Sequence, residues 1–167
     1  MKKLLVVVDM QNDFIDGSLG TKEAQAIVDK VVDYVDKFKG DVIFTLDTHH
    51  ANYLNTQEGK KLPVEHCIEQ TPGWLLNEKL VKYANWSVKK PTFGSTKLVK
   101  IIEDEGYDHI ELCGLCTDIC VVSNALLIKA HLPEVTIQVH KDLCAGVTPA
   151  SHEAALTTMS MCQIEVV

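Results

Sequence analysis

The segment HIELCGLCTDICVVSNALLIKA, residues His109 to Ala130, contains both kinds of element from which the fold is built. Its first part, HIELCG (His109–Gly114), is a short, mostly apolar run typical of a strand inside a sheet. Its second part, from Thr117 to Ala130, is predicted to be a helix, and Thr117 is a residue type that commonly caps helices. A strand followed at once by a helix indicates a βα unit.

The same alternation of strand and helix continues along the rest of the chain. The other predicted strands are Leu4–Asp9, Asp41–Asp47, Asn85–Lys90, Glu134–His140 and Gln163–Val167. The other predicted helices are Glu23–Phe38, Ser95–Glu105 and Pro149–Met161. This order predicts an α/β fold, a Rossmann-like three-layer α/β/α arrangement with a six-stranded, mostly parallel sheet and helices on both faces. We expect residues 1–167 to form a single domain.

The composition narrows the classes of ligand. The formal net charge is −7 and there is no basic cluster, which argues against nucleic acid or an anionic membrane as a partner. All 16 basic residues are lysines, so the planar fork by which arginine grips carboxylates and phosphates is missing. These features favour a small, neutral or singly charged ligand. Six cysteines without a secretory signal predict free thiols and a cytoplasmic location.

Polar side chains gather where the predicted strands end. Ligands of parallel α/β sheets bind beyond the carboxyl ends of the strands. The residues at those ends are Asp9, Asp47, His49, Lys89, Lys90 and the segment CGLCTDIC. One carboxylate or lysine at a strand end is commonly a cap or a solvated surface group, but their convergence at one rim indicates a site.

Three cysteines of this rim are open to different interpretations. Cys113 lies within a strand and is expected to be a small buried hydrophobe, and Cys116 lies in the turn. Cys120 falls in the first helical turn, where the helix dipole and backbone N–H groups favour a thiolate. We therefore expect Cys120 to be a nucleophile, ahead of an inert buried thiol. A thiol redox or zinc-binding protein using all three cysteines is the alternative from another class.

The segments VVVDMQNDF, KKPTFGS and GLCTDICVVSNAL resemble the signature segments of the isochorismatase-like cysteine hydrolases, a family that includes the nicotinamidases. The resemblance runs in order along nearly the whole chain. It implies a catalytic triad of Asp9, Lys90 and Cys120, with Lys90 preferred to Lys89 because the lysine of the family precedes a proline. It also implies a cis peptide bond before Cys116 and an oxyanion hole made by the backbone N–H groups of Cys116 and Cys120.

A divalent metal site is expected beside the triad. Asp47 and His49 lie on one side of an extended segment, and with His66 they suit zinc, or alternatively manganese or iron. Glu58 is the candidate fourth ligand, whereas His50 points the other way along the strand. The resemblance assigns Phe14 to the substrate ring. The second aromatic residue of the family has no counterpart, and Tyr53 and Trp74 are the candidates to replace it.

These features together predict a cysteine amidohydrolase acting on a small neutral amide. The leading reaction is the conversion of nicotinamide to nicotinate and ammonia through a thioester on Cys120. A metal-independent hydrolase of the same family, acting on another small amide, a carbamoyl or a ureido compound, is the alternative. Small sheets of this kind often pair, so a homo-oligomer is also expected.

Overall fold

The strand Lys3–Val8 (β1) lies at the centre of the sheet in the computed structural model, which describes residues 1–167. The other strands are Asp41–Asp47 (β2), Ser87–Lys90 (β3), His109–Leu115 (β4), Thr136–Ala145 (β5) and Glu165–Val166 (β6). They lie in the order β3-β2-β1-β4-β5-β6, and every neighbouring pair is parallel. The prediction of a six-stranded parallel sheet is confirmed.

Helices connect consecutive strands. The α-helices are Asn12–Ile15 (α1), Lys22–Lys37 (α2), Gln57–Lys61 (α3), Thr96–Glu105 (α4), Val122–His131 (α5) and Pro149–Met161 (α6). Side-chain hydroxyl groups of Thr21, Ser95 and Thr148 accept backbone N–H groups at the starts of α2, α4 and α6. These caps fix where the three helices begin, because they satisfy N–H groups that have no partner within the helix.

The side chains of β1 alternate between two apolar cores, one on each face of the sheet. Leu4, Val6 and Val8 pack in the core that contains buried residues of α4, α5 and α6. Leu5 and Val7 pack on the opposite face, in the core that contains the buried residues of α2. The five apolar residues of β1 are fully buried because the sheet is covered on both faces, so the predicted three-layer α/β/α arrangement is confirmed.

Four elements differ from the sequence prediction. Strand β5 runs from Thr136 to Ala145 and passes through a polar pair that resembles a turn. The predicted helix after β4 begins with a π-helical turn, Thr117–Val121, before α5 starts at Val122. The hydroxyl of Thr117 does not cap this turn and instead lies 2.7 Å from His152 Nδ1. The short helices α1 and α3 were not predicted, since four or five residues carry no periodic signal.

The register of the central strands places the predicted site residues at one rim. Val8 of β1 pairs with Thr45 of β2 and with Gly114 of β4. Asp47 pairs with Lys90 at the ends of β2 and β3. The residues that follow these positions therefore leave the sheet on the same side. None of the helices combines the length and the apolar character needed to cross a membrane.

Candidate active site

A buried ion pair joins the ends of β1 and β3. Asp9 directly follows β1, and its Oδ2 lies 2.6 Å from Nζ of Lys90, the last residue of β3. Both side chains are inaccessible to solvent. The other carboxylate oxygen of Asp9 accepts a hydrogen bond of 2.6 Å from the hydroxyl of Thr45. Asp9 is thus held on two sides in a fixed orientation.

The thiol of Cys120 lies next to this ion pair. Lys90 Nζ is 3.4 Å from Cys120 Sγ and donates a second hydrogen bond of 3.1 Å to the carbonyl of Thr92. Cys120 sits in the π-helical turn, within which the carbonyl of Cys116 accepts the N–H groups of Ile119 and Val121. The peptide bond between Leu115 and Cys116 is cis. The structure therefore brings Asp9, Lys90 and Cys120 together at the predicted rim.

Burial determines the ionisation of this group. Desolvation raises the pKa of the Cys120 thiol well above its ordinary value, and the Asp9 carboxylate raises it further, while Lys90 opposes both. Burial also raises the pKa of Asp9, against the attraction of Lys90. For Lys90, burial would lower the pKa, but the nearby Asp9, Cys120 and Asp47 outweigh it and the pKa is raised. The resting site consequently holds a protonated thiol beside an ammonium group, so attack by Cys120 requires a base.

Four potential metal ligands converge beside Lys90. One ligand atom from each of Asp47, His49, Glu58 and His66 lies within 4.8 Å of the other three. Nε2 of His49 is 2.9 Å from Asp47 Oδ2 and 3.6 Å from Glu58 Oε1. Nε2 of His66 is 3.5 Å from each of the same two oxygens. The cluster contains all the predicted ligands, including the candidate Glu58.

The geometry of this cluster fits a divalent metal. Zinc bonds of about 2.0–2.1 Å in a tetrahedron place ligand atoms about 3.4 Å apart, close to three of these separations. His66 Nδ1 lies 2.8 Å from the carbonyl of Val64. This contact turns Nε2 of His66 toward the cluster, as an outer hydrogen bond commonly does for a metal-binding histidine. Two imidazoles and two carboxylates suit zinc, manganese or iron.

A small cavity connects the thiol with the metal-ligand cluster. It has a volume of about 50 Å³, and its walls include Cys120, Asp47, His66, Phe14 and Phe93. The ring of Phe14 lies 5.5 Å from that of His66, so Phe14 forms the cavity wall next to one of the candidate metal ligands. A groove of about 610 Å³ adjoins the cavity, and both are lined by Glu58, Leu62, Phe93 and Ile119.

The two candidates for a second aromatic residue lie outside this cavity. Tyr53 is fully buried behind the cluster, with its ring 4.8 Å from that of His49 and 5.0 Å from that of His66. Trp74 lines a different cavity and donates its indole N–H to Thr48. Phe93, in the loop after β3, supplies an aromatic wall instead. The signal that the sequence offered for Phe93 was its position three residues after Lys90.

Two supporting residues near the site were also missed by sequence reasoning. Thr45, on β2, donates its hydroxyl to Asp9. The buried Gln11 accepts from the backbone N–H of Asp47 and donates to its carbonyl, at 2.8 and 2.9 Å. Such contacts between distant parts of the chain leave no local pattern. The discarded alternatives Lys89 and His50 are exposed and lie near Glu69.

Of the remaining two cysteines of the rim, Cys113 is separated from Cys120 by the sheet, whereas Cys116 lines the same small cavity as Cys120. Cys113 is fully buried in the core on the α2 face, and Cys116 packs against that core, whereas Cys120 belongs to the core on the other face. The metal-ligand cluster contains no cysteine, and all six cysteines are free thiols. A zinc site built from Cys113, Cys116 and Cys120 is therefore not formed.

Fold and site together define a three-layer α/β protein with a thiol, a buried ion pair and a cluster of metal ligands at one end of its sheet. A family model described as Isochorismatase domain matches residues 3–167. The chain accordingly belongs to the isochorismatase family.

Known relatives share the full length of the chain. The nicotinamidase/pyrazinamidase of Mycobacterium tuberculosis is 28% identical over 184 residues, covering 99% of this chain and 98% of its own. The crystal structure of the pyrazinamidase of Pyrococcus horikoshii in complex with zinc superposes with a TM-score of 0.87 at 29% identity, covering 100% and 99% of the two chains. The nicotinamidase/pyrazinamidase PncA of Bacillus subtilis gives a TM-score of 0.84 at 26% identity, with both chains covered completely.

Proposed function

We propose that this chain is a cysteine amidohydrolase, a single isochorismatase-like hydrolase domain that converts nicotinamide to nicotinate and ammonia. The observation that carries the proposal is the contact of Cys120 with Lys90, which pairs with Asp9, and the cavity that Cys120 shares with ligands of the metal-ligand cluster. The likeness to relatives named nicotinamidase and pyrazinamidase supports the choice of substrate. The absence of arginine suits a neutral amide better than a dianion.

The first chemical step is attack by Cys120 on the amide carbonyl. Asp9 accepts the thiol proton as the carbon–sulfur bond forms, because the buried thiol is protonated at rest. Lys90 keeps Asp9 ionised and offsets the negative charge that develops on sulfur. In this proposal the backbone N–H groups of Cys116 and Cys120 stabilise the oxyanion of the tetrahedral intermediate.

The second half of the reaction releases both products. Asp9 returns the proton to the leaving nitrogen, ammonia departs and a thioester to Cys120 remains. Water then attacks the thioester carbonyl, Asp9 accepts a proton from that water, and the carbon–sulfur bond breaks to give nicotinic acid, which loses its remaining proton to solvent as nicotinate. The proton on Asp9 returns to the sulfur, so the enzyme ends in its starting state.

The metal-ligand cluster holds the substrate ring in this proposal. A divalent ion, with zinc the leading candidate, would be held by Asp47, His49, Glu58 and His66 and would supply a Lewis acid for the ring nitrogen of nicotinamide. Phe14 and Phe93 are cavity walls that can contact the ring faces. The amide would then face Cys120, which lines the same cavity.

The test is an ammonia-release assay with the purified protein. Nicotinamide and a panel of N-carbamoyl and ureido compounds are compared with and without a chelator. We expect turnover of nicotinamide that is lost on chelation and restored by zinc. Turnover of carbamoyl compounds alone, unaffected by the chelator, would instead establish the metal-independent alternative.

The same proposal includes the cellular setting. Six unpaired cysteines are stable as thiols in the reducing cytoplasm, which supports a cytoplasmic location. The partner expected there is a small neutral amide, and the net charge of −7 disfavours nucleic acid and anionic membranes. A homo-oligomer remains part of this proposal and is tested by the mass of the protein in solution.

A further inference from the structure

We infer that Asn124 is a positioning residue that holds the nucleophile Cys120 against Lys90. This inference rests on the proposed function, in which Cys120 and Lys90 act together. Asn124 is the third residue of α5, and its polar side chain is completely buried. It touches neither the ion pair nor the metal-ligand cluster in any hydrogen bond, so the chemistry described above leaves it without a role.

The amide of Asn124 joins two separate segments of the site. Its Nδ2 donates to the carbonyl of Cys120 at 2.8 Å and to the carbonyl of Phe93 at 3.1 Å. Its Oδ1 accepts the backbone N–H of Ser95 at 2.9 Å. One bond therefore goes to the turn that carries the nucleophile, and two go to the loop that follows Lys90.

These three bonds fix the orientation of the amide. Both N–H groups of Nδ2 are used on carbonyl oxygens, and Oδ1 faces an N–H donor. Rotation by 180° would place oxygen against two carbonyls and nitrogen against another donor. A buried amide satisfied in only one orientation acts as a rigid connection, because breaking it leaves unpaired polar groups.

The loop after Lys90 is bound to Lys90 itself as well as to Asn124. Lys90 Nζ donates to the carbonyl of Thr92, one residue before Phe93. A continuous route of bonds thus runs from Lys90 through residues 92 and 93 to Asn124 and on to Cys120. The route ends at the 3.4 Å contact between Lys90 Nζ and Cys120 Sγ. Asn124 consequently sets the separation of nucleophile and ammonium group.

The test compares Asn124→Ala and Asn124→Asp with the control Ser123→Ala. Both Asn124 variants lose the N–H donors, and the alanine variant avoids placing a new charge among carbonyl groups. The hydroxyl of Ser123 donates to the carbonyl of Ile119 in the same turn at 2.5 Å, but makes no hydrogen bond to the loop after Lys90. The control therefore disturbs the turn and leaves the connection to Lys90 intact.

Steady-state kinetics on nicotinamide are measured with zinc present, well below the melting temperature of each variant and per folded molecule. We expect kcat to fall at least tenfold in both Asn124 variants, with KM changing less than threefold, and kcat of Ser123→Ala to stay within twofold of wild type. A structural role alone would lower the melting temperature and leave kcat per folded molecule unchanged. Values of kcat within twofold of wild type in the Asn124 variants would overturn the inference.

A second measurement does not depend on the substrate. Alkylation of Cys120 by iodoacetamide at one fixed pH is followed by mass spectrometry. Sulfur moved away from the Asp9–Lys90 pair loses the base that accepts its proton, so we expect at least fivefold slower alkylation in the Asn124 variants. A merely loosened and more exposed thiol would react faster, and an equal or faster rate would refute the inference. If the wild type does not hydrolyse nicotinamide, the proposed function fails, and alkylation alone decides the role of Asn124.

Discussion

At the scale of single residues, the site depends on charges that are kept out of water. Asp9 and Lys90 are both inaccessible to solvent and pair at 2.6 Å. Burial of such charges is costly unless each has partners. Here the hydroxyl of Thr45 gives the Asp9 carboxylate a second partner besides Lys90. The thiol of Cys120 is also buried, so its reactivity depends on Asp9 as a base.

The pH dependence of catalysis tests the role of Asp9. Burial raises the pKa of Asp9 above its ordinary value of 3.8, and the base must be ionised to accept the thiol proton. Activity is therefore lost as the pH falls through a midpoint above 3.8. Thr45→Val removes a hydrogen bond that favours the carboxylate, so we expect this acid limb of kcat/KM to move to higher pH.

The control for this measurement is the metal content at each pH, because acid releases metal from histidine and carboxylate ligands. An acid limb with its midpoint at or below pH 3.8 in the wild type would contradict the assignment of Asp9 as the base. The assignment of Asp9 would also be contradicted if Thr45→Val left the acid limb in place or moved it to lower pH.

At the scale of elements, the junction of β1 and β4 holds the site together. Gly114 has a φ of 114°, and a Cβ atom there would lie 2.1 Å from the carbonyl oxygen of Val8. The two strands can approach this closely only with glycine. The approach places Asp9, after β1, next to the turn that carries Cys120.

Substitution of two glycines with positive φ tests this packing. We expect Gly114→Ala to lower the free energy of unfolding by more than about 3 kcal/mol, since backbone strain and a clash add together. Gly106→Ala is the matched control: its φ is 67°, nothing lies within 4 Å of the added Cβ, and the cost should be about 1 kcal/mol. Urea denaturation measures both values, and equal losses would contradict the close approach.

Elements were predictable from the sequence to different degrees. The apolar run of β1 and the helical spacing of α2 carry strong local patterns, and both were predicted with ends within two residues. The π-helical turn was not, because a single turn of five residues is too short to carry a periodic signal of its own. The end of β5 was missed because Lys141 and Asp142 are exposed and resemble a turn.

At the scale of the whole molecule, the site joins parts that are distant in sequence. The metal ligands come from the end of β2, from α3 and from the loop before Cys67. The three triad candidates come from three different strands: Asp9 follows β1, Lys90 ends β3 and Cys120 lies in the turn after β4. The strand order could be used to place these residues at one rim, but Asn124, Thr45 and Gln11 became visible only from side-chain contacts.

Metal binding should therefore stabilise the whole chain. We expect one equivalent of zinc to raise the melting temperature, since free zinc at 100 times its Kd adds about 2.7 kcal/mol to the free energy of unfolding. Glu58→Gln should reduce this rise by weakening the site. Calorimetry with and without zinc measures the rise in melting temperature for the wild type and for Glu58→Gln. His50→Ala is the control, because His50 is exposed and lies outside the cluster, and an equal loss in both variants would argue against the four-ligand site.

The most direct test of the central claim is the fate of Cys120 during turnover of nicotinamide. Rapid quenching followed by mass spectrometry should show an acyl group on the peptide that contains Cys120. Cys120→Ala should show no acyl group and no ammonia release, with an unchanged melting temperature. Ammonia release by Cys120→Ala at the rate of the wild type would contradict the account.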